Sequence, residues 1–154
     1  MSFIVTFIGT FGYSGFFPFA PATFASLIFV LLYAGIPGGE WLANPIVALI
    51  TLLASVPIST RLEKQYGHDA GRIVIDEVVG LQVIFLWAQP TLAGVILAFF
   101  LFRLFDIVKP FPAGRSQKLP GGYGVVCDDF LAGLYTRLAL ILVAMLFPGI
   151  GEFR

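Results

Sequence analysis

The sequence predicts an all-α, polytopic membrane protein, with about four to five membrane-embedded helices in one domain over residues 1–154. Three observations predict it. Hydrophobic residues make up 58% of the chain and charged ones 12%, where an ordinary soluble domain carries about 25% charged. Nine basic and nine acidic residues are not spread evenly. Arg61, Glu63, Lys64, Asp69, Arg72, Asp76 and Glu77 fill one window, and Arg103, Asp106, Lys109, Arg115, Lys118, Asp128 and Asp129 fill another. Between them lie charge-free runs at 1–39, 41–60 and 78–102, and a stretch at 130–148 broken only by Arg137. A spanning helix needs about 20 apolar residues, because about 30 Å is crossed at about 1.5 Å per residue.

Residues 1–39 hold no Lys or Arg, so the basic segment of a cleavable signal is missing. Gly9, Gly12, Gly15, Pro18 and Pro21 interrupt the first stretch, which reads as a membrane-embedded or interfacial loop leading into a helix near 21–23. Pro is tolerated in a first helical turn and Thr can cap one. The run 23–36 is a shorter apolar helix, and 41–60 meets the spanning length directly. Within 78–102, Gln89-Pro90 argues against one continuous span, since Pro cannot donate to a helix and restricts its predecessor. A helical hairpin over 72–108 follows, with arms at 72–88 and 91–108. Both charged windows then face one side, and their seven Lys and Arg residues make it cytoplasmic. The connector 36–40, without a basic residue, falls outside. Pro110, Pro112, Gly114, Pro120, Gly121, Gly122 and Gly124 make 110–127 a loop.

Composition also excludes several functions. Balanced charge removes the electrostatic case for nucleic-acid binding. Cys127, the single cysteine, cannot form an internal disulfide, and no Cys/His pairing suggests zinc. It has no arginine six positions on, where Gly133 stands, so it reads as a small buried residue rather than a phosphatase nucleophile. There is no phosphate-binding loop of the G-x-x-x-x-G-K-[ST] type. His68 stands alone and reads as a surface or supporting residue. Arg137 either pairs with an acid or snorkels, and the phenylalanines Phe99, Phe100 and Phe102 face lipid or pack.

Ionisable groups at membrane depth are costly, which makes each a functional candidate. In Ile73-Val74-Ile75-Asp76-Glu77-Val78-Val79-Gly80, two acids interrupt an apolar helix start. Gly80, four residues after Asp76, allows a neighbouring backbone to approach. The plainer reading is acids favoured by a helix dipole. In Phe102-Arg103-Leu104-Phe105-Asp106-Ile107-Val108-Lys109-Pro110, Arg103 and Asp106 share a helix face, and the helix should end near Lys109. The plainer reading there is an intrahelical pair with a snorkelling lysine. In Gly121-Gly122-Tyr123-Gly124-Val125-Val126-Cys127-Asp128-Asp129, the glycines would let backbone N–H groups converge on an anion, with Asp128 as a helix cap. Together Asp69, Asp76, Glu77, Asp106, Asp128 and Asp129 offer oxygen ligands without sulfur, which suits Mg²⁺. Arg103 and Lys109 beside them point to a phosphate substrate, because metal and cations together offset its charge.

These three blocks, in this order, resemble the phosphatidylglycerophosphatase A family from Phe11 to Gly133, including Phe111-Pro112 and Phe130-Leu131-Ala132-Gly133. The amino-terminal block departs from the family pattern. Pro18, Pro21, Thr23 and Ser26 match, whereas Phe17, Ala22 and Ala25 replace Ser, Gly and Gly. The resemblance implies a Mg²⁺-dependent lipid phosphatase of bacterial inner membranes, multi-pass, with its site facing the cytoplasm. It would convert phosphatidylglycerol phosphate, an anionic phospholipid, to phosphatidylglycerol and inorganic phosphate. In that reading Asp76, Glu77, Asp128 and Asp129 hold Mg²⁺, and Asp106 completes the set or orients water. Arg103 and Lys109 grip phosphate, Thr23 offers a hydroxyl, and Asp69 is a peripheral acid. Hydrolysis would use a metal-activated water without a phosphoenzyme, since no nucleophile motif is evident. Two other functions fit the same residues: a small transport or assembly subunit with an ion-binding acidic cluster, and a phosphatase for another head group. A compact soluble helical fold also accommodates the composition.

Overall fold

The computed structural model describes residues 3–68 and 70–153, so Asp69 lies outside the described residues. Seven helices occur among them: α1 Phe3–Gly9, α2 Pro21–Gly35, α3 Pro45–Tyr66, α4 Ile75–Phe85, α5 Leu92–Val108, α6 Ala113–Ser116 and α7 Gly122–Leu146. The all-helical expectation therefore holds, with two short strands, β1 Gln89–Pro90 and β2 Gly151–Glu152, as the exception. These pair antiparallel, Gln89 opposite Glu152, and tie the end of the chain across the α4–α5 turn.

Local chemistry sets the boundaries. Pro21 opens α2 at its first turn, but no Thr caps it: Ala20 stands at the cap in left-handed backbone with no side-chain bond. Within the expected loop over 1–20 the described residues 3–20 hold a short helix, α1, and a 3₁₀ turn at Ser14–Phe16, joined and followed by turns. Helix α3 starts later than residue 41, because 3₁₀ backbone occupies Gly39–Ala43 and Asn44 then accepts from the Ile46 N–H at 2.9 Å. The hairpin forms, with Thr91 capping α5 through the Gly94 N–H, but its first arm is only 11 residues long. The loop expected over 110–127 is shorter than that range, since α7 begins at Gly122.

Helix α7 is the axis of the molecule, packed by α3, α4, α5 and α6. Every residue of α4 is buried, so this helix is an internal post and not a lipid-facing arm. It can approach α7 closely because glycines meet at the crossing. A Cβ on Gly80 would lie 2.8 Å from the Asp129 carbonyl oxygen and 2.6 Å from the Phe102 ring, and one on Gly133 would press on the Gly80 backbone. Small residues at helix crossings are how helices in lipid gain close van der Waals contact. Phe29, Leu81, Ile84, Phe85, Phe102 and Leu140 fill the space around this crossing. Arg137 neither pairs with an acid nor snorkels among the described residues. Its Nη1 donates to the Val83 carbonyl at 2.8 Å and to that of Ile84 at 3.4 Å, at the end of α4 where carbonyls lack helical partners.

Among the described residues two helices, α3 and α7, are long and apolar enough to cross a membrane, and the expected four to five embedded helices are shown only to that extent; α2, α4 and α5 have 15, 11 and 17 residues. A soluble core helix passes the same composition test but would be mostly buried. Here only 17% of the apolar window of α3 and 28% of that of α7 is buried. Ile46, Leu49, Ile50 and Leu53 on α3, Ile96 and Phe100 on α5, and Leu138, Leu142 and Met145 on α7 are all exposed. So broad an apolar exterior marks a surface made for lipid or a partner. Phe100 is exposed and Phe102 fully buried, so the expected division of the phenylalanines holds for this pair.

Candidate active site

At one end of the bundle the start of α4, the end of α5 and the second turn of α7 converge on a cavity of about 300 Å³. Its polar wall consists of Asp76, Glu77, Asp106, Asp128, Asp129 and Lys109. Each is placed by backbone that its neighbours fix. The Val74 N–H, just before α4, donates to the Gly9 carbonyl at 3.0 Å, so the amino-terminal turn holds the approach to Asp76 and Glu77. Lys109 closes α5 in left-handed backbone at φ 47°, its N–H bonded to the Phe105 carbonyl at 2.8 Å. Such a conformation costs a non-glycine residue about 1–3 kcal/mol and persists only where its surroundings hold it. It turns the side chain back across the site, where Nζ bonds the Asp128 carboxylate and lies 4.0 Å from Asp106 Oδ1.

Asp129 links the two halves of the cluster. Carboxylate oxygens of Asp76, Glu77 and Asp129 lie within 4.8 Å of one another, and so do those of Asp106, Asp128 and Asp129. Asp76 Oδ1, Glu77 Oε2 and Asp129 Oδ2 are buried without a hydrogen-bond partner among the described residues. Like charges confined in this way repel strongly, and a bound cation would relieve that repulsion. Mg²⁺ binds oxygens at about 2.0–2.1 Å in an octahedron, which puts paired ligands about 3–4 Å apart. The all-oxygen donor set suits such an ion, and the unpartnered oxygens are the atoms that would face it.

Not every expected residue reaches the cavity. Arg103 does not line it; its Nη2 bonds Asp106 Oδ2 at 3.0 Å, and its Nε and Nη1 are buried without a hydrogen-bond partner among the described residues. Thr23 is also absent from the wall, where Ala22 stands. The glycine segment at 121–124 cradles no anion in the cavity: the Gly122 N–H donates to Thr60 Oγ1 at 2.9 Å, and Gly122 lets α7 rest on α3 at Val56. Asp128 does not cap a helix, because α7 begins six residues before it. His68 is on the surface, bonded to Glu63 at 2.5 Å. Cys127 is half-buried rather than enclosed, in an apolar groove between α3 and α7. Sequence reasoning missed Ala22, Ala70, Gly71, Ile73 and Ile107 as cavity wall; small and apolar side chains carry no chemical signal by which to find them.

Comparison with known proteins identifies the family. The family described as Phosphatidylglycerophosphatase A matches residues 7–144. A Bacteroides thetaiotaomicron protein named "Putative phosphatidylinositol-3-phosphatase" is 41% identical over 93% of this chain and 94% of its own. Phosphatidylglycerophosphatase A of Escherichia coli K12 is 30% identical over 88% of this chain and 80% of its own. The Haemophilus influenzae protein of the same name is 43% identical over 49% of this chain and 48% of its own. No solved structure matches. With a match spanning nearly the whole chain and the acidic blocks gathered at one cavity, the chain belongs to the phosphatidylglycerophosphatase A family and is a phosphoric monoester hydrolase.

Proposed function

We propose that this protein is a Mg²⁺-dependent phosphatidylglycerophosphatase, embedded in the bacterial inner membrane with its acidic cavity at the cytoplasmic surface. One observation carries the reading. A single small cavity gathers five carboxylates and a lysine, and three of the carboxylates have buried oxygens that nothing among the described residues satisfies. A cation would offset the charge of such a set, and a cation beside a lysine at the membrane surface suits an anionic phosphomonoester.

Asp76, Glu77, Asp128 and Asp129 would hold the ion, with Asp106 at the edge of the set. When bound, Mg²⁺ would offset the charge of the transferring phosphoryl group and acidify an attacking water. Lys109 presents its ammonium to the phosphate from the cavity wall while it neutralises Asp128. Arg103 acts one step back, holding Asp106 in place through the Nη2 contact. The bond broken joins phosphorus to the head-group oxygen; water supplies the new P–O bond and the proton that the departing alcohol takes up. Helices α3 and α7 would span the bilayer, and α2 and α5 would be embedded beside them.

A second reading, hydrolysis of phosphatidylinositol 3-phosphate, is favoured by the name of the Bacteroides relative. Phosphate release by the purified protein in detergent separates the two. Phosphatidylglycerol phosphate, phosphatidylinositol 3-phosphate and phosphatidic acid would be compared, each with Mg²⁺ and with EDTA. The expected result is Mg²⁺-dependent release, greatest from phosphatidylglycerol phosphate. Greater release from the inositol lipid would establish the second reading, and release from none would end both.

A further inference from the structure

A second cavity, of about 380 Å³, adjoins the acidic one and contains an arginine that the chemistry above does not use. The two share Ala70 and Gly71 as wall, and they lie on either side of the start of α2, with Pro21 lining one and Ala22 the other. In the second cavity the guanidinium of Arg72 sits 5.2 Å from the Phe16 ring centroid and 5.6 Å from that of Tyr66. Those rings meet edge to face at 6.1 Å, forming a clamp. The backbone is fixed as well, because Gly15 packs against the Arg72 carbonyl with no room for a side chain. Among the described residues no carboxylate forms an ion pair with Arg72. Arginine can stack on aromatic faces while keeping its in-plane N–H donors for a phosphate. Phe16 and Phe17 on its wall, and Tyr13 and Phe19 in the same segment, are exposed, an aromatic surface suited to the boundary of head groups and acyl chains.

We propose that Arg72 and its aromatic clamp form a second anion subsite, which binds the phosphodiester of a lipid whose terminal phosphomonoester occupies the acidic cavity. This rests on the phosphatase reading and narrows the substrate class to lipids with a phosphodiester and a phosphomonoester joined by a short polyol. Phosphatidylglycerol phosphate and phosphatidylinositol 3-phosphate both qualify; phosphatidic acid, with a single phosphate, does not. Arg72 is a specificity residue, remote from the bond that breaks.

Two measurements on the intact protein in detergent test the subsite. The first compares kcat/KM on phosphatidylglycerol phosphate with that on phosphatidic acid for wild type, Arg72→Ala and Arg72→Gln. Loss of one charge-assisted phosphate contact should lower this ratio about tenfold in both variants, through KM rather than kcat. An unchanged ratio would overturn the proposal. The second needs no turnover: binding of glycerophosphoglycerol, a soluble head group with the diester alone. Wild type should bind it about tenfold more tightly than either variant. Equal binding, or none by wild type, would also overturn the subsite. Were wild type to hydrolyse no lipid yet bind the diester through Arg72, the phosphatase reading would fail and the subsite would stand.

Discussion

Asp129 belongs to both carboxylate triads, which makes it the residue whose charge the rest of the cluster feels most. Its neutralisation should therefore act in opposite directions on activity and on stability. Asn keeps the shape of Asp and removes one of several buried like charges, so Asp129→Asn without metal should melt at or above the wild type. Added Mg²⁺ should raise the wild-type midpoint, since a ligand at about 100 times its Kd stabilises by about 2.7 kcal/mol, and should leave the variant nearly unmoved. Phosphate release should fall by at least about a hundredfold, a loss of about 2.7 kcal/mol or more in transition-state stabilisation. Thermal melts in EDTA and in Mg²⁺, run beside the activity assay, decide the matter. A variant that melts well below the metal-free wild type would mean that Asp129 holds the fold and not an ion. The acids were legible in the sequence because a carboxylate set in an apolar run is costly to bury unless it binds something. Arg103 was harder: its three-residue spacing to Asp106 suited both a phosphate contact and the helix pair that forms.

The site depends on how closely two helices approach. Asp76 and Glu77 ride on α4, Asp128 and Asp129 on α7, and the Gly80–Gly133 contact sets the distance between them. A methyl group at position 133 has no space, because the atoms it meets belong to the Gly80 backbone and cannot rotate away. Gly133→Ala should spread the helices and cost about 1–3 kcal/mol, the usual penalty for overpacking. Its diagnostic effect is on the metal: the Mg²⁺ concentration for half-maximal activity should rise several-fold, with part of the lost rate recovered at saturation. A metal requirement identical to wild type would separate helix spacing from the site. The sequence pointed to Gly80 as a place for backbone approach. It could not say that α7 is the partner, since pairing is a property of the whole fold. Nor could it show that Gly121 and Gly122 serve the α3–α7 contact: glycine permits both an anion cradle and a close crossing, and only the position of Thr60 and Val56 decides.

At the scale of the whole molecule, charge is polarised along the bundle. The acidic cavity, Lys109 and the neighbouring Arg72 lie at one end, where Arg61 and Lys64 end α3 and Arg115 and Lys118 precede α7. At the other end Glu40 shares a cavity with Gln89, and Gln89 pairs with Glu152; Arg137 is the basic residue that bonds the carbonyls ending α4. Between the two ends the exterior of α3, α5 and α7 is apolar. This asymmetry was readable from the clustering of charge, whereas the number of spans was not, because hydropathy alone cannot distinguish the buried post α4 from a lipid-facing helix. Basic residues are retained on the cytoplasmic side of a bilayer, so the end with the site should face the cytoplasm. The exposed positions Lys118 and Glu40 allow a direct test. In a Cys127→Ser background, Glu40→Cys should react with a membrane-impermeant maleimide in intact spheroplasts. Lys118→Cys should react only after permeabilisation or in inverted vesicles. The reverse pattern would place the cavity outside the cell. Labelling of both positions in intact spheroplasts would mean that the two ends of the bundle are not separated by a membrane at all.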